Sequence, residues 1–187
     1  SGLDFNGTGT TTVDERPIFS DGLYHRGVIE NNIFRNATRG IDVNASTEVS
    51  RAIGWRIVNN TFRNIIGESP RGYGVLLAFT DQSTVLGNTF TSINRHAIYL
   101  SAGTRNSLVT GNTIDTLVNP SEAILLSAVA GQSANEDNIV SNNTILNAGI
   151  GIQVNELSHY TLVMGNKLKR ISDTPMFISN DGGASSA

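Results

Sequence analysis

The sequence predicts an all-β solenoid of about seven coils, short strand stacked on short strand, with a ladder of asparagines inside. Three observations carry this. The 187 residues include 21 Asn and 19 Gly, while charged residues make up only 16%, below the usual quarter. Six times the chain reads aliphatic, polar or small, then Asn, ending at Asn32, Asn60, Asn88, Asn112, Asn143 and Asn166. No segment shows the ten or more residues of 3.6 periodicity that a helical repeat needs.

The spacings between those asparagines are 28, 28, 24, 31 and 23, so each unit holds several short strands joined by bends. The residue before each is only ever Asn or Gly (Asn31, Asn59, Gly87, Gly111, Asn142, Gly165). Both tolerate the left-handed region cheaply, which predicts positive φ at every one of these turns. Three residues before the Asn stands a β-branched residue: Ile29, Ile57, Val85, Val109, Val140 or Val163. Two after it stands a large apolar one: Phe34, Phe62, Phe90, Ile114, Ile145 or Leu168. A second apolar segment follows in each unit, as in Gly74-Val75-Leu76-Leu77 and Ala97-Ile98-Tyr99-Leu100, with Met176-Phe177-Ile178-Ser179 a weaker case. Stacked at about 4.8 Å, these positions give an aliphatic column, an aromatic stack from Phe34 to Phe90, and a buried Asn ladder bonded to the turns above and below.

This pattern resembles the right-handed parallel β-helix of the pectate-lyase-like superfamily, which includes polysaccharide lyases, mannuronan epimerases and phage tailspike depolymerases. The resemblance covers essentially the whole chain. Leu3-Asp4-Phe5-Asn6-Gly7-Thr8-Gly9 is similar to an early coil ending in a Gly-rich turn, and Arg16-Pro17-Ile18-Phe19-Ser20 to its later strand. The expected organisation is one β-helix domain over 1–179, a rod on the order of 30 Å long, with a linker-like tail at 180–187. No capping helix precedes the first coil, which suggests a piece of a longer chain or a homo-oligomer, such as a trimer, whose protomers cover each other. Insertions at Ala45 to Trp55, Gly67 to Arg71 and Ala128 to Asn138 are expected to project as loops.

Composition narrows the partners. Net charge is −3 and the 13 basic residues are scattered singly, so no nucleic-acid stripe is present. No run approaches the roughly 18 apolar residues of a membrane span. There is no cysteine, and Asp4, Asp14 and Glu15 lack the dense oxygen spacing of a calcium loop, so neither metal nor cofactor is expected.

The candidate site lies on the second segment. Alternation turns two columns outward: Arg39, Tyr73, His96, Glu122 in one, and Asp42, Leu76, Tyr99, Leu125 in the next. Tyr73, His96 and Glu122 on successive rungs are the candidate catalytic groups, for His or Tyr can act as base or acid. Arg39, Asp42, Arg71, Arg95 and Tyr99 are the candidate substrate-binding residues, the guanidiniums suiting a sugar carboxylate. The resemblance implies lyase or epimerase chemistry of this general kind, but only Tyr73-Gly74 survives of the epimerase motif Tyr-Gly-x-Asp-x-His. An ordinary solvated sheet face would show the same residues. Asp42 and Glu122 stand three rungs apart, on the order of 14 Å, too far for paired-carboxylate glycoside hydrolysis. Two functions remain open. One is a carbohydrate-active protein on bacterial or acidic polysaccharide; the other is a non-catalytic receptor-binding or structural segment of a phage tail or adhesin. Both place the chain outside the cell or on a virion.

Overall fold

The computed structural model describes residues 2–11, 13–45, 47, 49–117, 121–128, 131–155 and 157–179; the tail expected at 180–187 lies outside them. Among the described residues there is no helix, only short strands and turns. Three parallel sheets run the length of the stack. Sheet 1 holds six strands, from Val28–Glu30 through Arg56–Val58, Thr84–Leu86, Leu108–Thr110 and Ile139–Ser141 to Leu162–Met164. Sheet 2 holds seven, from Asp4–Asn6 and Ile33–Ala37 to Lys167–Ile171, and sheet 3 seven, from Ile18–Ser20 and Ile41–Asn44 to Met176–Ile178. The chain visits the sheets in the order 1, 2, 3 in each coil, so the fold is the expected parallel β-helix.

The turn between sheets 1 and 2 follows the sequence rule. Asn31, Asn59 and Asn142 have φ of 57°, 55° and 55°, and Gly87, Gly111 and Gly165 have 65°, 65° and 64°. Such a turn strands backbone N–H groups inside the coil, and the next asparagine satisfies them. Asn60 N and Nδ2 both donate to Asn88 Oδ1, at 2.8 and 3.1 Å, while Asn60 Nδ2 also reaches the Ile29 carbonyl at 2.9 Å. The same donation links Asn32 to Asn60, Asn88 to Asn112, Asn112 to Asn143 and Asn143 to Asn166. An unpaired buried N–H costs about 1–3 kcal/mol, so the ladder is what makes the turn tolerable.

The core lies inside the coil. Phe34, Phe62 and Phe90 are fully buried, with centroids 4.9 and 4.7 Å apart and rings within 14° of parallel. Phe5 extends the stack by a fourth ring, 4.9 Å from Phe34. Each fully buried ring contributes about 1.5–3 kcal/mol. Glycine makes room for them: a Cβ on Gly74 would lie 2.7 Å from the Phe90 ring. The β-branched column from Ile29 to Val163 pairs in register on sheet 1.

Parts of two insertions pair rather than project: Ala52–Ile53 pairs with Thr80–Asp81 and Asn135–Glu136 with Ser158–His159. Arg105 bridges to both Asp81 and Glu136, completing a short fourth ladder. Pairing wins because free backbone donors beside an existing rung gain more from a partner than from a projecting loop. Trp55 is buried, its Nε1 donating to the Tyr24 carbonyl at 2.8 Å.

Candidate functional site

The strip sits where sheet 2 turns into sheet 3. Gly74, Ala97 and Ala123 turn inward and are buried, so the residues before them, Tyr73, His96 and Glu122, are thrown to the outside of the coil. The Tyr73 and His96 rings stack at 5.6 Å and 7°. Tyr99 leans across both, at 5.5 and 5.4 Å. His96 Nδ1 lies 3.1 Å from Glu122 Oε2 and 3.2 Å from the Glu122 carbonyl oxygen. Arg95 Nη1 donates to the Tyr73 hydroxyl at 2.8 Å, and the Arg95 and Arg39 guanidiniums lie 5.1 and 5.9 Å from the Tyr73 ring centre.

Exposure is where the sequence reading fails. Both outward columns were expected to face solvent, yet Tyr73 is 7% exposed, His96 2% and Asp42 1%, and Leu76 and Leu125 are buried too. The side chains cover one another: guanidiniums and Tyr99 lie over Tyr73 and His96, a mutual shielding that strand alternation does not reveal. These residues remain outside the apolar core, which contains none of them. Tyr99 and Glu122 are half-buried and keep surface open to solvent.

Arg39, Asp42 and Arg71 form a second group, with two residues the sequence reading missed. Arg39 Nη1 donates to Asp42 Oδ2 at 2.8 Å, and Arg39 Nε and Arg71 Nε lie 3.0 and 3.4 Å from Asp14 Oδ1. Arg16 donates through Nη2 and Nε to Asp14 Oδ2. The signal for Arg16 was present, since it precedes Ile18 by two residues as Arg39 precedes Ile41 and Tyr73 precedes Val75. Asp14 had no such signal.

Charge follows environment. The hydrogen bond from His96 holds the Glu122 carboxyl down at about 2, well below its ordinary value. Burial pushes the Asp42 carboxyl up despite Arg39 and Arg16, and burial likewise raises the Tyr73 phenol. Burial also pushes Asp14 up, but the Arg16 hydrogen bond and the Arg39, Arg16 and Arg71 charges outweigh it and leave the carboxyl lowered.

Asp81 and Glu136, which nothing in the sequence fixed, stand on the fourth ladder with Arg105 between them. Arg105 Nε lies 3.0 Å from Glu136 Oε2, while Asp81 Oδ1 accepts from Asn106 Nδ2 at 2.9 Å, so each carboxylate is engaged by its own neighbour on this ladder. Among the described residues no three His, Asp or Glu side chains gather as a metal site.

The family model for the right-handed β-helix region matches residues 18–168. No curated protein matches the chain. Among solved structures, the Streptococcus pneumoniae surface protein and adhesin PfbA is similar at 15% identity and a TM-score of 0.56, over 95% of this chain and 63% of that one. An alginate lyase from Paenibacillus shares 11% identity over 91% of this chain and 77% of its own, with a TM-score of 0.43. The chain thus spans less than two thirds of the adhesin's length, and identities this low speak to fold.

Proposed function

The chain belongs to the right-handed β-helix family, and on that footing we propose that it is an extracellular, polysaccharide-binding protein. Its contact surface is the strip from Arg39 through Tyr73, His96 and Tyr99 to Glu122. One observation carries this reading. Three rings in mutual contact at 5.4–5.6 Å are flanked by guanidiniums at one end and a carboxylate at the other. Aromatic faces beside fixed charged hydrogen-bonders suit the apolar faces and hydroxyl edges of a sugar. Tyr99 and Glu122 offer the open surface, while Tyr73 and His96 fix their positions from behind. Affinity electrophoresis through gels containing bacterial capsular, uronate and neutral polysaccharides tests it. Retardation in at least one gel is expected, and none in any would overturn the reading.

A carbohydrate-active version, of lyase, epimerase or depolymerase type, is favoured by one further feature. Both neighbours of His96 Nδ1 are acceptors, so Nδ1 carries a proton, and in the neutral tautomer Nε2 bears the lone pair that a base requires. Absorbance at 235 nm and new reducing ends during incubation with the retained polysaccharide would support turnover. Retention without either supports a binding-only role, such as receptor binding on a phage tail or adhesion like that named for PfbA. Met176, Phe177 and Ile178 are exposed, which supports their burial against another protomer in a homo-oligomer, such as a trimer.

A further inference from the structure

We propose that Asp14 is the resident counter-ion of an anion site built by Arg16, Arg39 and Arg71, and that it weakens, without abolishing, the strip's hold on carboxylate- and sulfate-bearing glycans. Three guanidiniums from three separate segments converge on one carboxylate. Arg16 reaches Oδ2 through Nη2 at 2.6 Å and Nε at 2.9 Å, while Arg39 Nε and Arg71 Nε approach Oδ1 at 3.0 and 3.4 Å. A bound carboxylate or sulfate would face the same three guanidiniums, with Arg16 able to donate through two nitrogens as it does to Asp14.

The local charge is unbalanced around it. Among the described residues the one other carboxylate paired to these guanidiniums, Asp42, takes Arg39 Nη1 at 2.8 Å and Arg16 Nη1 at 3.7 Å. Three cations therefore face two anions, and removing Asp14 leaves three facing one. The Asp14 side chain keeps 30% of its surface in solvent, so the place it fills is reachable from outside.

Asp14 is also dispensable to its own segment. Neighbouring Glu15 anchors the chain: its N–H donates to Thr38 Oγ1 at 2.7 Å, its carbonyl accepts from Arg39 N at 3.1 Å, and its carboxylate accepts from Thr8 N at 2.8 Å. A residue that only pinned the segment would be redundant beside these bonds. A residue that neutralises three guanidiniums would not.

The anion site stands on its own geometry, and only the glycan as ligand rests on the function proposed above. The test uses Asp14→Asn and Asp14→Ser, so that misfolding of one leaves the other, with Asp21→Asn as an exposed control. Inorganic sulfate is titrated by calorimetry, and retention is compared in gels of polygalacturonate and of neutral dextran. Both Asp14 variants should bind sulfate at least tenfold tighter than the wild type and the control, and adding Arg71→Ala should abolish the gain. Polygalacturonate retention should rise with it, and dextran retention should not. Sulfate affinity equal to that of the wild type in the folded variants would overturn the proposal, as would a lowered melting temperature with no gain in sulfate binding. A sulfate gain with no glycan retained by any protein would sustain the anion site and sink the glycan-binding function. Wild-type protein held by polygalacturonate as firmly as Asp14→Asn would sustain glycan binding and overturn the effect of Asp14 on it.

Discussion

His96 Nδ1 and Glu122 Oε2 lie 3.1 Å apart on successive rungs of the coil, and the hydrogen bond between them is the main cause of the low Glu122 ionisation. The carboxyl falls from an ordinary value of 4.5 to about 2. Because the folded value is depressed, the carboxylate's stabilisation is fully present above about pH 4.5 and is lost as pH falls through about 2.

Thermal melts of the wild type should therefore decline between pH 5 and pH 2 more steeply than those of Glu122→Gln. The shift corresponds to about 3 kcal/mol at most, reduced by the carboxylate's partial exposure. Parallel curves for the two proteins over that range would show that the His96–Glu122 contact does not form in solution.

Asparagine contacts inside the coil and on its outer face should differ sharply in cost. Asn88 accepts from Asn60 N and Nδ2 and donates to the Ile57 carbonyl and Asn112 Oδ1, all buried. Asn88→Leu orphans at least one backbone N–H and one carbonyl, so urea unfolding should show a loss of about 3–5 kcal/mol. Asn64 donates to Asn36 Oδ1 on the exposed face of sheet 2, and Asn64→Gly should cost less than about 1 kcal/mol.

Inward positions were legible because each obeys one constraint repeated at every rung. Phe62 must fill the space that Phe34 and Phe90 fill, and Asn88 must serve the turn that Asn60 and Asn112 serve. A second inner polar ladder was not legible: Ser83 N donates to Ser107 Oγ at 3.2 Å and Ser107 N to Asn138 Oδ1 at 3.0 Å. Serine and asparagine share that duty without sharing a consensus. Positive φ within the sheet 2 strands was also missed, since Asn36, Asn64, Ser92, Asn147 and Arg170 all adopt it and Ser and Arg give no hint of it. The outward strip was identified, but its burial was not. Exposure there depends on Asp14 and Arg16 in a first coil that lacks the Asn motif, and on how far guanidiniums fold back over their neighbours.

Gly111 tests the turn. Its φ is 65°, and a Cβ there would meet nothing nearer than Leu86 Cδ1 at 3.6 Å, so conformation alone, not space, limits what can replace it. Gly111→Val should lower stability by about 1–3 kcal/mol, because a β-branched residue is strained at positive φ. Gly111→Asn should be nearly neutral, since Asn31, Asn59 and Asn142 hold the equivalent positions at 57°, 55° and 55°. Equal melting temperatures for Gly111→Val and the wild type would mean that the turn is not left-handed at this rung.

His96 and Tyr99 separate support from contact. An exposed histidine could be removed without thermal consequence, but His96 lies buried between the Tyr73 ring and Glu122. His96→Ala opens a gap under Tyr73 and strips Glu122 of its strongest partner, so it should destabilise by about 1–3 kcal/mol. Tyr99 is half-buried, leans on both rings, and shows the rest of its surface to solvent. Tyr99→Ala should therefore cost about 1 kcal/mol of stability but weaken glycan retention about tenfold, the loss expected for one aromatic face. Gel retardation and melts on the same two variants make the comparison. If Tyr99→Ala is retarded as strongly as the wild type, the glycan contacts some other surface of the coil, and the stack of Tyr73, His96 and Tyr99 is a structural clasp.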